Sequence, residues 1–131
     1  LTRGSNRAHI VRAALEAMAY QSAEVLEVMR GESRLQLREL HVDGGACAND
    51  FLMQFQADIL RLPVRRPRTI ETTALGAALL AGVGAGMWDG GELAATLPIE
   101  RTFTPQMNRE HSHLLLAGWK EAVQRVLSKP A

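Results

Sequence analysis

The run Val42-Asp43-Gly44-Gly45-Ala46-Cys47-Ala48-Asn49 constrains the fold of this 131-residue chain more than any other segment. Ahead of it, Leu35, Leu37, Leu40 and Val42 alternate loosely with polar residues, the period of a strand. Behind it, Leu52, Phe55, Gln56 and Ile59 fall on one side of a helix predicted from about Ala48 to Leu60. A strand that passes through two glycines into a helix is a unit of α/β layering. Glycines at such a junction let backbone approach a ligand with no Cβ in the way. The helix that follows presents unpaired N–H groups and a positive dipole end, which suit a phosphate. In open α/β sheets, ligands gather at the C-terminal ends of strands, and this loop is at one. Asn49, in the first turn, both donates and accepts, so it is able to read a base or a ribose. The same glycine pair also serves a plain tight turn, and the loop alone leaves both readings open. No Gly-Lys-Ser/Thr follows, which excludes a Walker loop, and the three-glycine dinucleotide pattern is absent.

The rest of the chain extends the alternation. Ser5 or Asn6 caps a helix to about Arg30, with Ile10, Ala14, Met18, Val25 and Met29 on one face and Gly31 as its stop. Pro63 to Pro67 reads as a short edge strand, because proline cannot donate to a ladder. Thr69 to Thr73 leads, with capping potential, into an uncharged small-residue helix that ends near Trp88 at Asp89-Gly90-Gly91. Glu92 to Leu97 suits a short helical turn and Ile99 to Phe103 a strand. Pro105 and Asn108 open a last helix to about Leu127, carrying Leu114, Leu115, Trp119, Val123 and Val126. The order is helix, strand, helix, strand, helix, short strand, helix. Two or three short strands make a thin sheet with open edges. The expectation is therefore that part of the sheet lies ahead of Leu1.

Composition removes several classes. Lys and Arg total 15 against 14 for Asp and Glu, a net charge of +1, which argues against nucleic acid as a partner. The one basic cluster, Arg61, Arg65, Arg66 and Arg68, reads as a solvated strand edge kept from aggregating by charge. Thr72 to Trp88 is uncharged over about 17 residues, the lower limit of a membrane span. It is built from Ala and Gly, however, so a buried helix packed closely against a neighbour is expected and no membrane contact. Cys47 is the single cysteine, which rules out an internal disulfide and fits a reducing, cytoplasmic setting. The polar start without an initiator Met or signal peptide reads as a fragment or a processed product. His41 and Cys47 straddle a strand end with no orienting third group, so Cys47 is expected to be a small residue in a turn. His111 and His113, two apart on a helix, point to different faces and make a poor metal pair. Asp50, Asp58 and Glu71 are unpaired by spacing, and solvated or capping roles are expected for them.

The stretch from Leu40 to Leu60 as a whole resembles the adenosine-side segment of the FGGY carbohydrate kinases, in their glycerol-phosphorylating branch. Leu1, His9-Ile10 and Ala13-Ala14-Leu15-Glu16 are similar to that family's second signature, and Thr73 to Gly82 to its closing helix. Glu100 to Pro105 and Ala117-Gly118-Trp119-Lys120 resemble the end of the glycerol branch, so the likeness covers nearly the whole chain. The resemblance implies a partial actin-like (ribonuclease-H-like) ATPase domain, with residues 1–131 forming the last part of the second of two domains around an ATP cleft. By the same resemblance, Gly45 touches ATP through its backbone, Asn49 contacts the adenosine portion and Gly44 shapes the turn. It also implies ATP/ADP with Mg2+, glycerol as the substrate of the parent, and the missing N-terminal part of the kinase as the first partner. The phosphate-binding hairpin, the polyol pocket, the catalytic aspartate and the aspartates near magnesium belong to that missing part. No catalytic or metal-binding residue is therefore expected here, and the chain alone is expected to be inactive. The alternatives are a non-catalytic nucleotide-binding or dimerising module, whose open edge allows a homo-oligomer, and another sugar kinase such as one for pentuloses. Asp50 stands where many relatives carry a second Asn. The stretch from Met107 to Leu116 matches poorly, so a regulatory contact known there in some relatives is not carried over.

Overall fold

The computed structural model describes residues 2–33, 36–89 and 98–127. Asn6 opens helix α1 (Arg7–Ser33), its Oδ1 accepting the His9 N–H at 3.2 Å. The helix is apolar on two sides, and among the described residues only one of them is covered. Ala19 and Tyr20 are buried, with Leu15 and Ala23 packed beside them. Tyr20 meets Phe55 edge-on at 5.5 Å and stacks on Trp119 at 5.3 Å. The face expected to be buried is the other one: Ile10, Met18, Val25 and Met29 are all exposed. Periodicity finds an apolar face, but not which of two faces meets a neighbour within the same chain.

Strand β1 is shorter than the expected Leu35 to Val42, being confined to Leu40–His41; Leu35 lies outside the described residues. It pairs in parallel with β2 (Val64–Pro67), Leu40 N–H donating to the Pro63 carbonyl and Val42 N–H to that of Arg65. On its other side β2 pairs antiparallel with β3 (Ile99–Phe103). The order β1-β2-β3 makes β2 the central strand, which corrects its assignment to an edge. Its prolines explain why this is tolerated. Pro63 precedes the strand and supplies only a carbonyl, and Pro67 sits at a register irregularity at the far end. Between them Val64 is fully buried and Arg66 is 6% exposed.

Helix α2 (Asp50–Leu60) is the hub, packing against α1, β2, β3 and a last helix, α4 (Arg109–Val126). The expected face of Leu52, Phe55, Gln56 and Ile59 is buried. Asn108 caps α4, its Oδ1 accepting the His111 N–H at 2.7 Å. Asp58, on α2, holds the approach to α4, its Oδ1 accepting the backbone N–H groups of Gln106 and Met107.

Helix α3 (Thr72–Gly84) was expected to be buried against a neighbour; of its residues only Gly82 is. Leu80 is 73% exposed. The helix ends in a Schellman turn: Gly86 has φ +70°, its N–H donates to the Val83 carbonyl, and Met87 N–H donates to that of Gly82. Trp88 then folds back over Gly82, its Nε1 donating to the Leu79 carbonyl at 3.0 Å. The turn expected from Glu92 to Leu97 falls outside the described residues.

Candidate nucleotide-binding loop

The loop between β1 and α2 is built from its backbone outward. Gly44 has φ +78° and ψ 170°, a region open essentially to glycine alone. Its N–H donates to the Ile70 carbonyl at 2.7 Å, and its carbonyl accepts the Cys47 N–H at 3.1 Å. That bond starts a 3-10 turn, Gly45–Ala48, ahead of α2. The helix expected from Ala48 thus begins at Asp50, because Asn49 leaves the helical region at φ −83° and ψ 106°. The N–H groups of Gly45 and Ala46 stand at the start of the turn, where no intrahelical acceptor precedes them. Gly45 has an ordinary φ, is exposed, and has open space where a Cβ would stand.

Asn49 is the N-cap of α2: its Oδ1 accepts the Leu52 N–H at 3.1 Å. The cap occupies the side-chain oxygen, and the exposed amide NH2 keeps its two donors free for a ligand. Gly44, Gly45 and Asn49 therefore lie along one exposed turn. A groove of about 600 Å³ runs beside it, lined by Met18, Val25, Leu40, Val42, Ala46 and Met53.

Two supports hold the turn. Thr72, at the start of α3, donates its hydroxyl to the Asp43 carboxylate. From below comes Arg66. Its Nη1 donates to the Cys47 carbonyl at 2.9 Å and to Asp50 Oδ1 at 2.8 Å, and its Nε donates to Glu100 Oε2 at 2.7 Å. Its Cζ lies 5.3 Å from the centre of the Phe103 ring. Arg101 joins from β3, its Nη1 2.5 Å from Asp50 Oδ2. The hydrogen bond from Arg66, with Arg101 close by, holds the Asp50 carboxyl below the usual carboxylate range.

Reading the basic cluster as a solvated strand edge is thus wrong: Arg66 is buried on the central strand, and exposed Arg61 and Arg68 lie outside β2, Arg61 at the end of α2 with its Nη1 donating to the Met107 carbonyl. Arg66 is the residue of this site that sequence reasoning missed. One signal was present: Arg66 is two positions from Val64 and so shares its buried face. Cys47 is buried, as a small residue in a turn, and burial pushes its thiol up in spite of nearby Arg66. His41 turns instead to Glu39, Nε2 to Oε1 at 2.8 Å. Glu71 is the N-cap residue of α3 without a side-chain cap bond. Among the described residues no three His, Cys, Asp or Glu side chains converge on a metal site. No helix among them is long and apolar enough to cross a membrane.

A three-stranded sheet with helices arranged in this way is part of an actin-like, ribonuclease-H-like ATPase domain, the fold of the structural relatives below. The chain belongs to the FGGY family of carbohydrate kinases, whose C-terminal domain matches residues 1–85. A glycerol kinase of Treponema denticola is 58% identical over 126 residues, covering 95% of this chain and 25% of that protein. Glycerol kinase 1 of Clostridium tetani is 55% identical over 129 residues, 98% of this chain and 26% of that protein. The chain thus spans about a quarter of the length of the curated relatives it matches. Among solved structures, Plasmodium falciparum glycerol kinase with ADP superposes with a TM-score of 0.83 at 32% identity, over 99% of this chain and 26% of that one. A xylulose kinase from Rhodospirillum rubrum, with a TM-score of 0.76 at 23% identity over 96% of this chain and 26% of that one, shares the fold.

Proposed function

We propose that residues 1–131 are the last part of the second domain of a glycerol kinase and supply the adenosine-side wall of its ATP site. The parent would transfer the γ-phosphoryl group of ATP to a terminal hydroxyl of glycerol. The observation that carries this reading is the exposed turn itself. Gly44 bends it, Gly45 leaves room for a ligand at its backbone, and Asn49 offers an amide whose oxygen is already held by the cap. A 32%-identical structural relative was solved with ADP.

Phosphoryl transfer is achieved mainly by positioning and charge neutralisation. Magnesium, which accompanies the nucleotide, would supply the neutralisation from residues outside this chain. The residues here bind and orient. The Gly45 backbone packs against the nucleotide, Asn49 donates to the adenosine portion, and Gly44 fixes the height of both. The face of α1 and the edge of β1 that no described residue covers are where the rest of the polypeptide would complete the sheet. Cytoplasmic residence belongs to the same reading and suits a lone thiol without a partner.

The test separates the two jobs of Asn49. In the complete kinase, Asn49→Asp keeps a cap oxygen and removes the amide donors, while Asn49→Ala removes both. The reading predicts that both variants weaken ATP binding and leave glycerol binding intact, and that only Asn49→Ala also lowers thermal stability, by about 1 kcal/mol. Unchanged ATP affinity in Asn49→Asp contradicts it.

A further inference from the structure

We infer that Arg66 is the positioning residue of this loop, acting on nucleotide affinity through the two residues that flank Asn49's side of the turn; the inference rests on the reading of the loop as the ATP site. Arg66 lies on the central strand, 7% exposed at its side chain, and reaches the loop at two points. Nη1 holds the carbonyl of Cys47, two residues before Asn49, and the carboxylate of Asp50, the residue after it. The guanidinium thereby grips the chain on both sides of the position that would contact adenosine. Its other edge is anchored away from the loop: Nε and Nη2 donate to the two oxygens of Glu100 at 2.7 and 3.4 Å, a fork-to-fork pair with β3. Strand β3 thus sets the orientation of Arg66, and Arg66 sets the loop.

Only a guanidinium does all of this. Its planar fork spreads donors over three partners at once, whereas an ammonium is a point charge on a flexible stem. A buried cation is costly unless paired, and here it is paired with two carboxylates. The cost of burying it is understandable if the orientation of the loop matters for binding. A hydrogen bond weakens steeply once its geometry is lost, so a displaced Asn49 would lose its contact with the nucleotide.

Arg66 itself touches no reacting atom in this account, so its effect should be confined to the nucleotide. The test is steady-state kinetics of the complete kinase carrying Arg66→Met, Arg66→Lys and Glu100→Gln, with melting temperatures measured alongside. Arg66→Met is expected to raise KM for ATP about tenfold, with KM for glycerol within about twofold and kcat at saturating ATP within about threefold. Arg66→Lys should recover part of the loss. Glu100→Gln, which leaves the Cys47 bond but loosens its anchor, should shift KM for ATP in the same direction by less. KM values for ATP and glycerol that rise together, or a folded Arg66→Met with normal KM for ATP, overturn the inference. If Arg66→Met does not fold, Glu100→Gln decides, and an unchanged KM for ATP in it overturns the inference. Asn49→Asp run in parallel separates the two claims. If it leaves ATP binding untouched, the loop is not the nucleotide site. If it weakens ATP binding while the Arg66 and Glu100 variants do not, only the positioning role falls.

Discussion

Arg66 donates to the Cys47 carbonyl at 2.9 Å, joining the central strand to the glycine loop across 19 positions of sequence. The bond fixes the backbone of Cys47 while its side chain faces the core, 1% exposed. Burial favours the neutral thiol and raises its pKa, and the thiolate is the reactive form. Alkylation of the complete kinase by iodoacetamide at neutral pH should therefore leave the tryptic peptide spanning 39–61 unmodified until the protein is unfolded. Rapid labelling of that peptide in the native protein would show that the loop opens.

Adjacent glycines should behave in opposite ways. Gly44 needs its φ of +78°, so Gly44→Ala is expected to lose about 1–3 kcal/mol of stability. Gly45 has an ordinary φ and open space beside it, so Gly45→Ala should leave stability within about 0.5 kcal/mol. Its new methyl group would instead stand where the nucleotide approaches. Calorimetric titration of ATP into the complete kinase should show weakened binding in a protein that melts normally. Normal binding in Gly45→Ala would place the nucleotide elsewhere.

Two carboxylates tie this region to acid stability. Asp50 is held below its ordinary range by its hydrogen bond from Arg66, and Glu39 by its hydrogen bond with His41. A depressed folded-state pKa contributes stability that is fully present above the unfolded value and is lost as pH falls through the folded one. Urea midpoints should thus be flat near neutrality and fall below about pH 4. Asp50→Asn should lower the midpoint at neutral pH and flatten the fall in acid. An identical acid slope in the variant would show that the Asp50 pair does not contribute.

Gly82 carries a third contrast. A Cβ there would stand 2.0 Å from Cζ2 of Trp88, so the indole must leave its place. Gly82→Ala gains about 1 kcal/mol in helix propensity and loses about 2 kcal/mol to the forced rearrangement. The expected result is a net loss of about 1 kcal/mol and a red-shifted tryptophan emission. Unchanged emission would mean that Trp88 does not rest on Gly82.

What the sequence made legible was local. Asn108 before an apolar-periodic run marks a cap, and Asn108 caps α4. Ile99 to Phe103 reads as a strand, and β3 occupies those residues. Gly44 next to Gly45 announces a sharp turn, and Gly44 makes it at a φ of +78°. What stayed hidden depends on partners far along the chain. Arg66 looked solvated because Asp50 and Glu100 lie 16 and 34 positions away, and only the sheet brings them together. Strand β2 looked like an edge because of its prolines, yet Pro63 joins the ladder through its carbonyl alone and Pro67 pairs with Ile99 at the register irregularity. The exposed faces of α1 and α3 read as core in sequence, since apolar spacing does not say whether a neighbour covers them, and among the described residues none does.

Photoaffinity labelling can show which peptide lies against the adenine of bound ATP. The complete kinase would be irradiated with 8-azido-ATP, digested with trypsin and mapped by mass spectrometry. If this loop forms the adenosine wall, the label falls on the peptide spanning 39–61, which carries Gly44, Gly45 and Asn49, and excess ATP suppresses it. Label that is displaced by ATP but found only on peptides outside this chain would contradict the account.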